Sequence, residues 1–197
     1  MSAVVVLHGG GDTCEGLLNT FFDLGDEFTV IGWDREPTVD MSYESMAFDT
    51  RRRLLEIGPA HLIGHSDGGV IALILAMQSP DLVRSMTLFG ANYHHRGVRS
   101  DMVPSLAGIT DPLELALVRM WLTSPTFTVK DLSGIQCPTL IAVGEIEPIT
   151  DEHTASMARA IPQAQLWQVA GADHDLPKDP RFAERVRERV REFLHSA

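Results

Sequence analysis

Gly64-His65-Ser66-Asp67-Gly68 directly follows the apolar residues 60–63 and precedes an apolar stretch that begins at Gly69. A Gly-X-Ser-X-Gly sequence between a buried strand and an apolar helix is typical of a sharp turn that exposes the serine hydroxyl. The two glycines are needed because strand and helix nearly touch at such a turn. The serine of such a turn takes a strained backbone conformation, which persists only where the surrounding structure enforces it. The motif predicts a strand-turn-helix unit with Ser66 as a candidate nucleophile. The alternative is a glycine-rich turn in which Ser66 only caps the helix.

A second glycine-rich stretch lies near the N-terminus. His8-Gly9-Gly10-Gly11 follows residues 4–7, a short apolar run of three valines and a leucine. Glycines after a strand let backbone N–H groups approach a substrate oxygen, so this loop can supply one half of an oxyanion hole. The N–H of Asp67, the residue after Ser66, would supply the other half. Phosphate binding is the alternative, but the chain lacks the Lys-Ser/Thr pair of a P-loop at this position.

Two acidic residues and a histidine follow the last two predicted strands. Glu145 and Glu147 come after the buried residues 139–143, and His174 comes after the alternating residues 165–169. The chain order serine, acid, histidine distinguishes this arrangement from the other serine triads. A serine hydroxyl is a poor nucleophile until a neutral imidazole takes its proton, and a buried carboxylate holds that imidazole in the required tautomer.

With these motifs in hand, the chain resembles the α/β-hydrolase superfamily, and specifically its lid-bearing branch of small esterases and lactonases. The matching blocks are residues 4–10, 60–75, 137–147 and 171–174, followed by a C-terminal amphipathic helix. The resemblance implies Ser66 as nucleophile, Glu147 as acid and His174 as base, with Gly10 and Asp67 in the oxyanion hole. It also implies cleavage of a small carboxylic ester or lactone through an acyl-enzyme.

The acid position departs from the pattern of this branch. It usually holds Asp, and this chain has Glu147, whose side chain is one methylene longer. Glu145 matches a position that is ordinarily structural, so Glu147 is the favoured acid and Glu145 the alternative.

The sheet is also expected to be small. Relatives have two strands before the glycine loop, and only one fits before His8 here. We therefore expect about six strands in a mostly parallel sheet with helices on both faces, an α/β-hydrolase fold lacking the first two strands. Residues 28–34 would then form an exposed edge. Bare edges invite pairing with another chain, which predicts a homodimer through this strand. An unpaired edge guarded by charge is the alternative.

A short helical lid is expected at residues 93–131, within a single domain spanning residues 1–197. Asp111-Pro112 reads as a helix N-cap and first helical position. An apolar stripe that includes Met120 and Trp121 follows at helical spacing. Met120 and Trp121 are candidates for the substrate pocket. Asp12, which follows the glycine loop, and Trp33, at the end of an adjacent predicted strand, are two further candidates. Plain core packing is the other interpretation of the stripe.

The side chain of Asp67 has two possible roles. Its carboxylate lies beside the candidate nucleophile, which suggests a preference for substrates with a cationic group. The alternative is a structural carboxylate, hydrogen-bonded within the turn or at the hinge of the lid.

Composition narrows the function classes. A net charge of −11 argues against nucleic-acid partners, which require clustered Lys and Arg. No run approaches the roughly 20 apolar residues of a membrane helix, and no signal peptide is evident. Two cysteines form no metal or redox motif, and the histidines lack helical metal-site spacing. We therefore expect a cytoplasmic enzyme with a small-molecule substrate and neither cofactor nor metal. Amide or carbon–carbon bond hydrolysis at the same triad, and a non-catalytic ligand-binding or scaffold protein, stay open as alternatives.

Overall fold

The computed structural model describes residues 1–102 and 105–197. Within these residues, six strands form one parallel sheet in the order β2-β1-β3-β4-β5-β6. The strands are β1 Ala3–Leu7, β2 Thr29–Gly32, β3 Ala60–His65, β4 Val83–Phe89, β5 Thr139–Ile146 and β6 Ala164–Asp173. The predicted six-stranded parallel sheet is confirmed.

Seven α-helices connect or flank the strands in the described part of the chain. They are α1 Glu15–Thr20, α2 Tyr43–Ile57, α3 Asp67–Gln78, α4 Pro112–Thr123, α5 Val129–Leu132, α6 Asp151–Ala160 and α7 Ala183–Ser196. Short 3-10 segments lie at Phe22–Asp26, Pro80–Leu82, His95–Gly97 and Leu176–Lys178.

The helices cover both faces of the sheet, as predicted. Successive strand residues point to opposite faces, so each strand contributes to two cores. Leu62 of β3 belongs to the core that contains α2, α3 and α6. Its neighbour Ile63 belongs to the core that contains α1 and α7. Helix α3 is apolar all round and almost wholly buried, because it contacts the central strands of the sheet as well as helices α2 and α5.

The strand order places β2 at one edge. Its residues pair with β1, in register from Ala3 opposite Thr29 to Val6 opposite Gly32. Thr29 is exposed and the other three residues are half-buried. The expected edge strand is therefore present, though it is shorter than the predicted residues 28–34.

Parts of the chain between β4 and β5, such as Leu117 and Trp121, contact the loops that follow the strands. Asp111 caps α4, accepting the N–H groups of Leu113 at 2.7 Å and Glu114 at 3.0 Å, as the Asp-Pro pair predicts. Near its start this segment pairs with the loop after β5 through an antiparallel bridge between Val98 and Ile149. Residues 103 and 104 of the predicted lid lie outside the described residues.

Candidate active site

Ser66 stands at the junction of β3 and α3 in a strained conformation. Its φ of +52° is the one positive value among the non-glycine residues of the described ranges. Conformations of this kind cost about 1–3 kcal/mol and cluster at functional sites. The Ser66 N–H donates to the Phe89 carbonyl at 2.8 Å, which ties the turn to β4.

The glycines of the motif make this junction possible. A Cβ on Gly64 would lie 2.5 Å from the Gly68 carbonyl oxygen, and a Cβ on Gly68 would collide with the Leu7 carbonyl. Because those neighbours are backbone atoms, they cannot rotate away as side chains can. The strand-turn-helix unit therefore requires glycine at both positions, as the sequence predicts.

Glu147 and His174 meet at the C-terminal ends of β5 and β6. The Nδ1 atom of His174 lies 2.6 Å from Oε2 of Glu147. The second carboxylate oxygen of Glu147 accepts the Gly144 N–H at 3.1 Å. Glu147 is only 6% exposed, so its carboxylate is buried and is held by two hydrogen-bond donors. This arrangement leaves Nε2 of His174 as the ring nitrogen available for a serine.

Glu145 has a different environment. It is exposed, and its Oε2 accepts the Gly171 N–H at 2.8 Å. This contact holds the backbone near the end of β6, three residues before His174. The structure therefore brings Glu147, and not Glu145, to the histidine.

Gly90 makes room for the pair formed by Glu147 and His174. It has φ +56°, and a Cβ at this position would lie 2.6 Å from Nδ1 of His174 and 3.2 Å from Oε2 of Glu147. The sequence showed only a glycine at the end of a strand, with no signal of this long-range contact. Gly90 is thus a site residue that sequence reasoning missed.

His65, next to Ser66, also supports the histidine. Its Nε2–H donates to the His174 backbone carbonyl at 2.8 Å, and the two rings lie 5.0 Å apart. Burial, and then the neighbouring His174, lower the pKa of His65 to about 4. The ring is therefore neutral near pH 7 and serves as a hydrogen-bond donor. The sequence analysis gave His65 no role, because its partner is 109 residues away.

Arg35 orders the glycine loop. Its guanidinium donates to the His8 carbonyl at 2.6 Å and to the Gly9 carbonyl at 3.2 Å. Its backbone N–H donates to Nε2 of His8 at 3.1 Å. These contacts fix the backbone on which Gly10 lies. Arg35 follows β2, and nothing in its local sequence signalled this role.

Both carboxylate oxygens of Asp67 accept hydrogen bonds from other side chains of the protein. Its carboxylate is buried, accepts the Tyr43 hydroxyl at 2.7 Å, and accepts Nε1 of Trp121 at 3.0 Å on both oxygens. Burial raises the pKa of Asp67, and the hydrogen bonds from Trp121 and Tyr43 oppose that rise. These contacts match the structural alternative, a carboxylate that joins the turn to α2 and α4.

A pocket of about 180 Å³ opens beside Ser66. It is lined by both polar and apolar residues: Tyr43, Ser66, Asp67, Asn92, Val98, Met102, Trp121, Ser124, Pro148, Ile149 and His174. The candidate nucleophile and the histidine therefore share one cavity, and helix α4 supplies part of its wall.

Of the four residues expected in the substrate pocket, Trp121 lines this cavity and three lie elsewhere. Asp12 pairs with Lys178 at 2.7 Å, which joins the glycine loop to the loop after His174. The guanidinium carbon of Arg53 lies 4.8 Å from the centroid of the Trp33 ring. Both residues line a separate surface depression. Met120 is buried in the core and does not line this cavity. Closeness in sequence to a site loop did not fix the direction of these side chains.

Metal-binding clusters and membrane-spanning helices are absent from the described part of the chain. Within residues 1–102 and 105–197, no group of three or more His, Cys, Asp or Glu side chains is arranged to hold a metal ion. No helix among those residues is long and apolar enough to cross a membrane.

Known proteins with a similar sequence or structure share this architecture. Residues 31–111 match the family model of the α/β hydrolase fold. The chain is 26% identical to mouse serine hydrolase BPHL over 205 aligned residues, covering 85% of this chain and 69% of that protein. A hydrolase from Oleispira antarctica superposes with a TM-score of 0.83 at 20% identity, over 100% of this chain and 92% of the other. A thermophilic esterase from Thermogutta terrifontis superposes with a TM-score of 0.78 at 23% identity, over 100% and 90%.

The fold and the matched family model define an α/β-hydrolase. The chain has the α/β-hydrolase fold and is an enzyme of the hydrolase class.

Proposed function

We propose that this enzyme is a serine hydrolase that cleaves a small carboxylic ester or lactone through a covalent acyl-enzyme. The observation that carries the proposal is the contact of 2.6 Å between Nδ1 of His174 and Oε2 of Glu147, in a histidine that shares its pocket with the strained Ser66. A serine, a buried acid and a histidine in this chain order are the working parts of a catalytic triad.

The first half of the reaction forms the acyl-enzyme. Nε2 of His174 takes the proton of the Ser66 hydroxyl as Oγ attacks the substrate carbonyl. Glu147 accepts Nδ1–H throughout, which holds the tautomer and stabilises the imidazolium. The imidazolium then protonates the leaving alkoxide, which departs as the alcohol or, in a lactone, stays attached to the acyl group.

The second half of the reaction restores the enzyme. His174 takes a proton from water, the resulting hydroxide attacks the acyl carbon, and the bond to Ser66 Oγ breaks as that oxygen recovers its proton. The carboxylic acid product then leaves. In both halves the carbonyl oxygen becomes an oxyanion, for which we assign the backbone N–H groups of Gly10 and Asp67.

We also propose that residues 93–131 act as a short lid on this site. The contacts that support this assignment are those of Trp121 and Ser124, which line the pocket from α4 and the residue after it. The pairing of Val98 with Ile149 attaches the start of the lid to the loop that carries Glu147. A lid joined in this way would shape substrate choice without supplying a reacting group.

Ester turnover tests the proposal. The wild-type enzyme is expected to hydrolyse p-nitrophenyl acetate or butyrate, or a small aliphatic lactone, and Ser66→Ala is expected to lose this activity. Ser133→Ala is the matched control, because Ser133 is an exposed serine bonded only to the Lys130 carbonyl. Equal activity in wild type and Ser66→Ala would overturn the proposed mechanism.

A further inference from the structure

Trp121 and Leu117 of α4 press against the glycine loop. A Cβ on Gly10 would lie 2.9 Å from Cζ2 of Trp121 and 3.0 Å from Cδ1 of Leu117. It would also collide with the carboxylate of Asp67. Helix α4 and the loop therefore meet at Gly10 in a close contact that involves three side chains.

This contact separates two cavities. On one side is the pocket of about 180 Å³ that contains Ser66, His174 and Trp121. On the other side is a groove of about 700 Å³ that runs along the glycine loop and includes Leu117. Asp67 borders both cavities. The side chains of Trp121, Leu117 and Asp67 therefore form a partition between them.

The partition is held in place by hydrogen bonds. Nε1 of Trp121 donates to both carboxylate oxygens of Asp67 at 3.0 Å, and the Tyr43 hydroxyl donates to Oδ1 at 2.7 Å. Asp67 is fixed in turn by its position at the start of α3. A buried carboxylate left without these donors would be costly, so the indole is kept in one orientation.

The groove behind the partition has both apolar and charged lining. Met41, Met46, Leu113 and Leu117 supply the apolar surface that a longer acyl chain would follow, beside acidic residues such as Asp34, Asp40 and Asp49. By contrast, the pocket is only slightly larger than the ~150 Å³ cavity that holds a benzene ring in a model protein. An acyl group of more than about six carbons would outgrow a space of that size.

We propose that Trp121 is a specificity-determining residue that limits the length of the acyl group by closing the pocket against the neighbouring groove. The inference rests on the proposed function, since it assigns the acyl group to the pocket beside Ser66. Removing the indole joins the two cavities and admits longer chains.

The test compares p-nitrophenyl butyrate with p-nitrophenyl octanoate in wild type, Trp121→Ala and Leu122→Ala. Trp121→Ala is expected to raise the octanoate-to-butyrate ratio of kcat/KM by about tenfold or more, the discrimination that a single methylene can produce in an apolar pocket. Leu122→Ala is the matched control, because Leu122 is the next residue on α4 and is 40% exposed. Its ratio is expected to equal that of the wild type.

Two further variants guard against loss of folding. Leu117→Ala shortens the partition from the groove side and is expected to shift the ratio in the same direction by a smaller factor. Trp121→Phe keeps a ring at the partition without the N–H donor, and its ratio is expected to stay closer to that of the wild type than to that of Trp121→Ala. An unchanged ratio in both Trp121→Ala and Leu117→Ala overturns the proposal.

A binding measurement separates this proposal from the proposed function. In a Ser66→Ala background, isothermal titration with butanamide and octanamide reports access to the pocket without catalysis. Adding Trp121→Ala is expected to strengthen octanamide binding relative to butanamide. That result, in an enzyme whose wild type neither hydrolyses esters nor reacts at Ser66, would support the partition and refute the serine-hydrolase mechanism. An unchanged amide preference would refute the partition alone.

Discussion

His174 and Glu147 are joined by a contact of 2.6 Å between Nδ1 and Oε2, although 27 residues separate them in the chain. The two residues follow neighbouring strands, β5 and β6, and their partnership depends on the parallel pairing of those strands. The carboxylate is buried and receives a second hydrogen bond from the Gly144 N–H. The longer side chain of Glu, where relatives of this branch carry Asp, therefore still reaches the imidazole.

Glu147→Gln is the first prediction. The amide weakens the preference for the tautomer with a proton on Nδ1, so kcat for a short-chain ester should fall by about 10⁴, as expected on loss of a triad acid. Glu145→Gln is the matched control and should retain nearly full activity, because the Glu145 carboxylate accepts the backbone N–H of Gly171 in β6 and not the imidazole of His174. Steady-state kinetics on both variants measures this. A larger loss in Glu145→Gln would reverse the assignment of the acid.

The second prediction concerns the tight junction at Ser66. Gly64→Ala places a Cβ 2.5 Å from the Gly68 carbonyl, and the collision with backbone should lower the free energy of unfolding by about 1–3 kcal/mol. Gly25→Ala is the control, since nothing lies within 4 Å of a Cβ there, and its stability should change by less than about 1 kcal/mol. Urea denaturation measures both values. Equal stabilities for the two variants would show that the junction tolerates a side chain at residue 64.

The pKa of His65 predicts a pH dependence of stability. The imidazole has a pKa of 6.5 when unperturbed and about 4 in the folded protein, because of burial and the neighbouring His174. Between these two pH values the unfolded chain binds more protons, so the free energy of unfolding rises with pH. This contribution, about 3 kcal/mol, is fully present above pH ~6.5 and is lost as the pH falls toward 4.

Urea denaturation of wild type and His65→Gln from pH 4 to pH 7.5 checks this contribution. Glutamine can keep a donor toward the His174 carbonyl but does not titrate. The difference between the two proteins should therefore change across this window, with the wild type losing more stability on acidification. Parallel curves would contradict the assignment. Carboxylates near His65, such as Asp175, titrate in both proteins, so they cancel in the difference apart from their electrostatic coupling to His65 itself.

The exposed edge of β2 predicts self-association. Strand β2 pairs with β1 on one side, and unpaired strand edges are templates for another chain. We predict a homodimer through β2, with twice the 21.7 kDa mass of the chain in size-exclusion chromatography with light scattering. Thr29→Lys places a charge on the exposed start of the strand and should favour the monomer. A single 21.7 kDa species in the wild type would refute the dimer.

The sequence predicted the sheet because its signals are local. Buried runs followed by glycine, and helices announced by Asp-Pro or Gly-X-Ser-X-Gly, depend on neighbouring residues alone. Strand ends were less accurate: β6 was expected at residues 165–169 and extends from Ala164 to Asp173. An irregularity in its pairing with β5, between Gly144 and Ile146, lets the two strands continue together. Such a shift arises from contacts between strands and has no local sequence signal.

The same distinction explains the site. Ser66, Glu147 and His174 could be proposed as candidates because each follows a recognisable strand, and the structure places Ser66 and His174 in one pocket. Arg35, His65 and Gly90 could not, because their roles come from contacts with residues far away in the chain. Asp12 shows the converse: it lies beside the glycine loop in sequence, but its carboxylate pairs with Lys178 and does not line the pocket.

Intact-mass spectrometry after incubation with a fluorophosphonate probe tests the central claim most directly. Such probes react with a serine only when its hydroxyl is activated. We predict one adduct on the wild type and none on Ser66→Ala, with Ser133→Ala labelled like the wild type. The absence of an adduct on well-folded wild-type protein, or an adduct that persists in Ser66→Ala, would contradict the assignment of Ser66 as the nucleophile.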